Sequence, residues 1–236
     1  MYAIKRRSSM TEVRKTGNQH TRESALNKKL ELSRIISMTA HEAVGQKRNY
    51  TNEPYWIHPR DVAELVKNAG GSVYAQCAAW LHDTEEDTKL TNAFISSQVG
   101  KRVAKIVSGL TDVELPVGDG GSRYIRKALT RIRIECSRDI DVMTVKLADV
   151  LHNGQSIFIY DRGFSSVFWI ETLLLLEVLV DANEYLYLKV VEMLNDHRSS
   201  INRSDEWVEN KIAKYREAEE AVRVIYDTLT QLSIED

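Results

Sequence analysis

Apolar positions recur at helical spacing along most of the chain. From Leu26 onward, Leu30, Leu32, Ile35, Ile36 and Met38 mark one side of a helix running to about Val44. Gly45 to Pro54, with a glycine, two asparagines and a proline, reads as a loop rich in donors: Gln46, Lys47, Arg48 and Asn49. Pro59 suits a first helical turn, so His58 is placed just before a helix N-terminus. Further helices are predicted over 61–67, 73–82, 90–99, 103–110, 123–136, 141–153, 167–180, 183–194 and from 205 to the end. Ser72 is a candidate cap and Gly100 a candidate stop. In the two helices after residue 166, Trp169, Leu173–Leu176 and Leu179, then Tyr185, Leu186, Leu188 and Val191, are expected to bury. No alternating strand or internal repeat is evident. The fold class is all-α, one helical domain over 26–200. A weakly ordered leader or short surface helix occupies 1–25, and a C-terminal helix over 201–236 packs on the domain.

Composition narrows the class. The net charge of −2 excludes a general nucleic-acid binder but not a local basic pocket. Cys77 and Cys136 lie far apart without metal or redox spacing, which points to a reducing compartment. The basic start lacks an apolar signal core, and the run Thr172–Val180 is interrupted by Glu177 and too short to span a bilayer. A cytoplasmic protein with no membrane partner is expected; a homo-oligomer is left open.

Two stretches carry candidate chemistry. In Ala78–Thr88 an apolar run ends in His82–Asp83, followed by Glu85, Glu86 and Asp87. On a helix His82 and Glu86 share a face, and Asp83 and Asp87 repeat that relation one step round. In Asp141–Asn153, Lys146, Asp149 and Asn153 line one face of a largely apolar helix. A carboxylate there needs a cation nearby. The bland alternatives are an acidic helix end in water and a structural Lys146–Asp149 ion pair. For the basic run 123–138 the bland alternative is a solvated face, and it is preferred. The loop over 112–122, with Pro116 and several glycines, is long enough to suggest function.

His58, His82–Asp83 and Asp149 together offer two imidazoles and two carboxylates, a set suited to a divalent transition metal. The order His … His–Asp … Asp resembles the HD superfamily of metal-dependent phosphohydrolases. Within it, Gly45–Arg48 followed by Glu53–Pro59, Ala78–Thr88, Ser108–Thr111 and Val145–Asn153 resemble the RelA/SpoT hydrolase domain, over about residues 35–160. No synthetase domain fits in what remains, so the chain looks like a stand-alone small alarmone hydrolase, an HD-domain helical bundle. The resemblance implies hydrolysis of the 3′-diphosphate of (p)ppGpp to GDP or GTP and pyrophosphate, with Mn(II) as the usual ion. It implies His58, His82, Asp83 and Asp149 as ligands, and Glu86 and Asp87 as catalytic carboxylates. Arg48 would stack on the guanine side, Asn153 would contact the nucleoside, and Lys146 would offer charge to a phosphate. His152 is not a family ligand and reads as a core histidine.

Departures cluster on the nucleoside side: Asn49 stands where the family commonly has Lys, Val150 where it has Arg, Gly154–Gln155 where it has Met–Arg, and Ala43 where it has His. Two alternatives follow. One is an HD phosphohydrolase acting on a related nucleotide, an adenosine alarmone or a 3′-phosphorylated cofactor. Indifference to Arg48→Ala would favour it. The other is an antitoxin-like neutraliser of a nucleotide-synthesising toxin, with the C-terminal helix as its contact surface. Full protection by a His82→Ala, Asp83→Ala protein would favour that.

Overall fold

A computed structural model describes the backbone of residues 5–112 and 123–232, and the side chains of 21–112 and 123–225. The order is α1 (Lys5–Ala43), α2 (Ile57–Asn68), α3 (Val73–Leu81), α4 (Thr84–Asp87), α5 (Asn92–Val99) and α6 (Lys101–Leu110). Then come α7 (Arg123–Ser137), α8 (Ile140–Tyr160), α9 (Arg162–Leu176), α10 (Glu184–His197), a 3-10 turn at Arg198–Ser200, and α11 (Asp205–Leu232). The described residues contain no strand, and their one β-bridge, Lys47 to Pro54, closes the loop ahead of α2. Among them no helix is long and apolar enough to cross a membrane.

The helices start and stop where side chains satisfy their open ends. Ser72 accepts from the Ala75 amide at 3.0 Å, and Thr91, Asp161 and Asn183 cap α5, α9 and α10 in the same way. Gly100, at φ 98°, ends α5 and begins α6, a conformation strained for any other residue. Helix α3 is the hub. Ala75, Cys77, Ala78, Ala79, Trp80 and Leu81 are all buried, and the small side chains let α1, α2, α6 and α8 close around it. Helix α6 buries Val103, Ile106, Val107 and Leu110, the stripe its sequence predicts.

Three features differ from the sequence reading. The first helix begins at Lys5, not near Leu26. No proline and only Gly17 interrupts that stretch, so a polar composition does not prevent helix. On α10, Tyr185 and Leu188 are exposed, while Leu186, Val190, Met193 and Leu194 are buried. The apolar stripe therefore sits one step round from the expected one. Finally, α3 ends at Leu81 and α4 starts at Thr84, so His82 and Asp83 occupy a break between helices. Of the loop expected over 112–122, all but Asp112 lies outside the described residues.

Candidate metal centre and active site

The break after α3 brings His82 and Asp83 against the middle of α8 and the first turn of α2. His58 Nε2 lies 3.2 Å from His82 Nε2, 3.5 Å from Asp83 Oδ2 and 3.3 Å from Asp149 Oδ1. His82 Nε2 is 3.2 Å from Asp83 Oδ2 and 3.7 Å from Asp149 Oδ1. Donors sharing one ion at about 2.1 Å lie roughly 3.0–3.4 Å from one another. The four side chains therefore converge as ligands of a common ion do. His58, His82 and Asp149 are buried, and their donor atoms lie within 4.8 Å of one another.

The surroundings fix the tautomers this requires. His82 Nδ1 faces the Ala79 carbonyl at 2.8 Å, so Nδ1 carries the proton and Nε2 presents its lone pair inward. His58 Nδ1 faces His152 Nδ1 at 2.8 Å, and His152 Nε2 lies 3.3 Å from Asp61 Oδ2. Asp61 accepts from His152 Nε2–H, His152 Nδ1 accepts from His58 Nδ1–H, and His58 Nε2 is left free for metal. Burial, with His58 and Arg48 nearby, pushes His152 down to about 4, so it is neutral and able to accept. Tyr55 donates to Asp83 Oδ2 at 2.7 Å, Asn153 to Asp149 Oδ1 at 2.7 Å, and Lys146 to Asp149 Oδ2 at 3.0 Å. Burial opposes charge on His82, but Asp83 and Asp149 outweigh it and raise its affinity for a proton. Burial likewise opposes ionisation of Asp83 and Asp149, yet the imidazoles, and Lys146 beside Asp149, hold both carboxyls below their usual range. The cluster favours positive charge at its centre, and the donor set fits a divalent transition metal.

The remaining sequence-predicted residues ring this centre. Arg48 donates to Asn153 Oδ1 at 3.2 Å and lies 5.8 Å from the centre of the Tyr55 ring. Asn153 thus links Arg48 to Asp149. Lys146 is engaged by Asp149 and also lines the adjoining cavity. Glu86 and Asp87 stand exposed on the rim, on the turn directly after Asp83. Glu86 Oε1 accepts from the Asp112 amide at 2.5 Å. The protein around Glu86 pushes its carboxyl up to about 7, against the help of that amide, with Asp112 and Asp83 adding to the rise.

Sequence reasoning took His152 for a core histidine and passed over Asp61 and Tyr55. Asp61 and His152 sit three residues from His58 and Asp149, on the same faces of α2 and α8; that spacing was the signal. Tyr55 carried none. The basic helix α7, read as a solvated face, is so only in part: Arg123 and Arg126 are exposed, while Arg131 is buried. Buried Arg131 pairs with Glu219 at 2.5 Å and Arg123 with Glu171 at 2.6 Å. With Lys127 and Lys146 they line a cavity of about 200 Å³ that reaches Asp149 and Asn153. Burial and the neighbouring Lys146 push the Lys127 ammonium down, against the pull of Asp112 and Glu171.

A family model described as HD domain matches residues 35–158. The probable guanosine-3′,5′-bis(diphosphate) 3′-pyrophosphohydrolase of Synechocystis sp. is 32% identical over 118 residues, covering 50% of this chain and 16% of that protein. The guanosine-3′,5′-bis(diphosphate) 3′-pyrophosphohydrolase of Aquifex aeolicus is 34% identical over 124 residues, covering 51% of this chain and 17% of that protein. The match thus spans about a sixth of the length of these curated relatives. Among solved structures, a metazoan ortholog of SpoT, described as hydrolysing ppGpp, aligns with a TM-score of 0.62 at 21% identity, over 72% of this chain and 95% of its own. A protein of Listeria monocytogenes EGD-e aligns with a TM-score of 0.51 at 23% identity, over 62% of this chain and 97% of its own. These two likenesses establish a shared fold. Given the match over more than half its length, the chain belongs to the HD domain family.

Proposed function

We propose that the chain hydrolyses the 3′-diphosphate of guanosine 3′,5′-bis(diphosphate) or its pentaphosphate counterpart, releasing pyrophosphate and GDP or GTP. His58, His82, Asp83 and Asp149 would hold the ion, with Mn(II) as the expected occupant. The observation that carries this reading is the convergence of those four donors beside a cationic cavity, with Glu86 exposed on the turn that follows Asp83. The names of the two curated relatives supply the substrate class.

A divalent ion bound there supplies a Lewis acid for a phosphate oxygen and lowers the pKa of water. The chain's own residues do the rest. Glu86, its carboxyl raised toward neutrality, accepts the proton of the attacking water. The water oxygen adds to the phosphorus next to ribose O3′, the P–O3′ bond breaks, and the proton that Glu86 took from water passes to O3′, which leaves as the hydroxyl. Asp87, the second rim carboxylate, orients that water. Lys127, whose carboxylate neighbour Asp112 is 3.9 Å away, offsets the charge of the phosphates in the cavity. Lys146 holds Asp149 ionised, a structural duty that leaves it a secondary part in phosphate binding. Arg48, planar and fixed by Asn153, presents a face for a purine to stack on.

A related nucleotide is the second reading, favoured by Asn49 and Val150, which stand where the RelA/SpoT hydrolase domains commonly carry a Lys and an Arg. The test is purified protein with Mn(II) and a nucleotide panel. Pyrophosphate and GDP from ppGpp are expected. Cleavage of another nucleotide with ppGpp intact overturns the guanosine assignment and leaves the metal chemistry standing.

A further inference from the structure

A second cavity, of about 670 Å³, opens on the other side of α8 and α9, where the end of α8, the start of α9 and the turn after α10 meet. Its polar lining is Arg162, Ser165, Ser166, Ser200, Asn202 and Arg203, and no acidic side chain is among the residues lining it. The chain as a whole carries a net charge of −2, so two arginines gathered without a carboxylate run against its balance. Neither guanidinium forms an ion pair among the described residues, whereas the neighbouring Arg198 is paired with Asp205 at 2.8 Å. Arg203 rests on the Trp207 ring, 4.8 Å from its centre. Ser165 and Ser200 already donate to the carbonyls of Arg162 and His197. Ser166 does not: it is 3% exposed and its hydroxyl has no partner. A buried hydroxyl left unpaired costs free energy unless something brought to it accepts its proton.

We infer that this cavity is a binding site for a small phosphate-bearing anion, distinct from the catalytic one. Arg162 and Arg203 supply the charge, and Asn202 and Ser166 supply neutral donors. Phosphate oxygens are acceptors only, which matches a lining whose uncommitted polar groups include two guanidiniums, a carboxamide and a hydroxyl. The wall shared with the catalytic cavity is aromatic. Phe158 lines the outer cavity and Phe168 the inner one, edge to face with centroids 5.5 Å apart. The same anion chemistry is offered by free pyrophosphate and by the diphosphate of a nucleotide. The inference holds whichever nucleotide the catalytic site takes.

The test uses the full chain freed of metal by chelation and dialysis, titrated with inorganic pyrophosphate and, separately, with GDP. Heat and tryptophan fluorescence are read together. One saturable event is expected, with a fluorescence change that Trp207→Phe abolishes while the heat remains. Arg162→Gln with Arg203→Gln should weaken that event by about tenfold or more, because hydrogen bonds to ionised groups are worth roughly that each. Ser166→Ala should weaken it by about threefold, as for one neutral hydrogen bond. Lys127→Gln, in the catalytic cavity, should leave it unchanged. GDP bound more tightly than pyrophosphate, with the same dependence on the two arginines, assigns the natural ligand to the nucleotides; the reverse assigns it to inorganic anions. The inference is overturned by binding that survives the double substitution within about twofold, or that is lost with Lys127→Gln instead; a twofold change is below half a kilocalorie. Absence of any saturable event overturns it too.

Discussion

Replacing His152 with Ala removes the acceptor for His58 Nδ1–H, which is otherwise held at 2.8 Å. His58 is 1% exposed, so in the parent no bulk water competes for that proton. A buried donor left unpaired costs about 1–3 kcal/mol. The imidazole can escape that cost only by moving its proton to Nε2, which removes the lone pair aimed at the metal. Either way the loss falls on metal binding. Outer-sphere partners of ligating histidines are typically worth about 10–100-fold in affinity, or about 1.4–2.8 kcal/mol. His152→Ala should therefore weaken Mn(II) binding by that factor, measured by calorimetry, with Co(II) absorption as an independent readout. Asp61→Asn should cost less, about threefold, because its contact is longer at 3.3 Å and its side chain is 33% exposed. Helical content by circular dichroism should be unchanged in both. Mn(II) affinity of His152→Ala within about twofold of the parent would refute this reasoning, since a hydrogen bond with an effect that small is not orienting the ligand.

Glu86→Gln should lower kcat by about 10²–10⁴-fold with Mn(II) affinity retained, because it removes a proton acceptor and no ligand. In the parent, activity should fall with acid as the Glu86 carboxyl protonates. Its raised pKa, about 7 in the metal-free protein, puts the limb above an ordinary glutamate's, and a bound cation moves it lower. A kcat/KM profile in which Glu86→Gln keeps the acid limb would contradict the role. Arg48→Ala should raise KM by about tenfold with a smaller effect on kcat, as for a contact made equally in ground and transition states. Unchanged KM for ppGpp would point to the related-nucleotide reading. Stripping the metal should lower Tm by about 5–10 °C against protein at a hundredfold excess of metal over Kd, since that excess is worth about 2.7 kcal/mol. An identical Tm by calorimetry would mean that no ion stabilises the folded chain.

The all-α fold was legible because most helices carry a strong apolar stripe, as at Val103, Ile106, Val107 and Leu110, and punctuation at Ser72 and Gly100. The start of α1 was not legible, since its first half has no apolar periodicity. On α10 the stripe Leu186, Val190, Met193 and Leu194 is crossed by exposed Tyr185 and Leu188, and hydropathy alone did not separate the two. Around the proposed metal centre, the candidate ligands could be read because each is a His or Asp on or at the end of an apolar helix. The arrangement behind them depends on which faces of α2 and α8 meet. That brings Asp61 to His152 across ninety-one positions, a pairing no local pattern encodes. The ion pairs of the basic helix escaped for the same reason: Glu171 and Glu219, which neutralise Arg123 and Arg131, lie 48 and 88 positions downstream.

The central claim is that His58, His82, Asp83 and Asp149 close around one divalent ion. Crystals grown with Mn(II) and measured on either side of the manganese absorption edge test it directly. The account predicts a single strong anomalous peak about 2.0–2.3 Å from both Nε2 atoms and one oxygen of each carboxylate, within the range for such ligands. A peak elsewhere on the chain, or none at saturating metal, would contradict it.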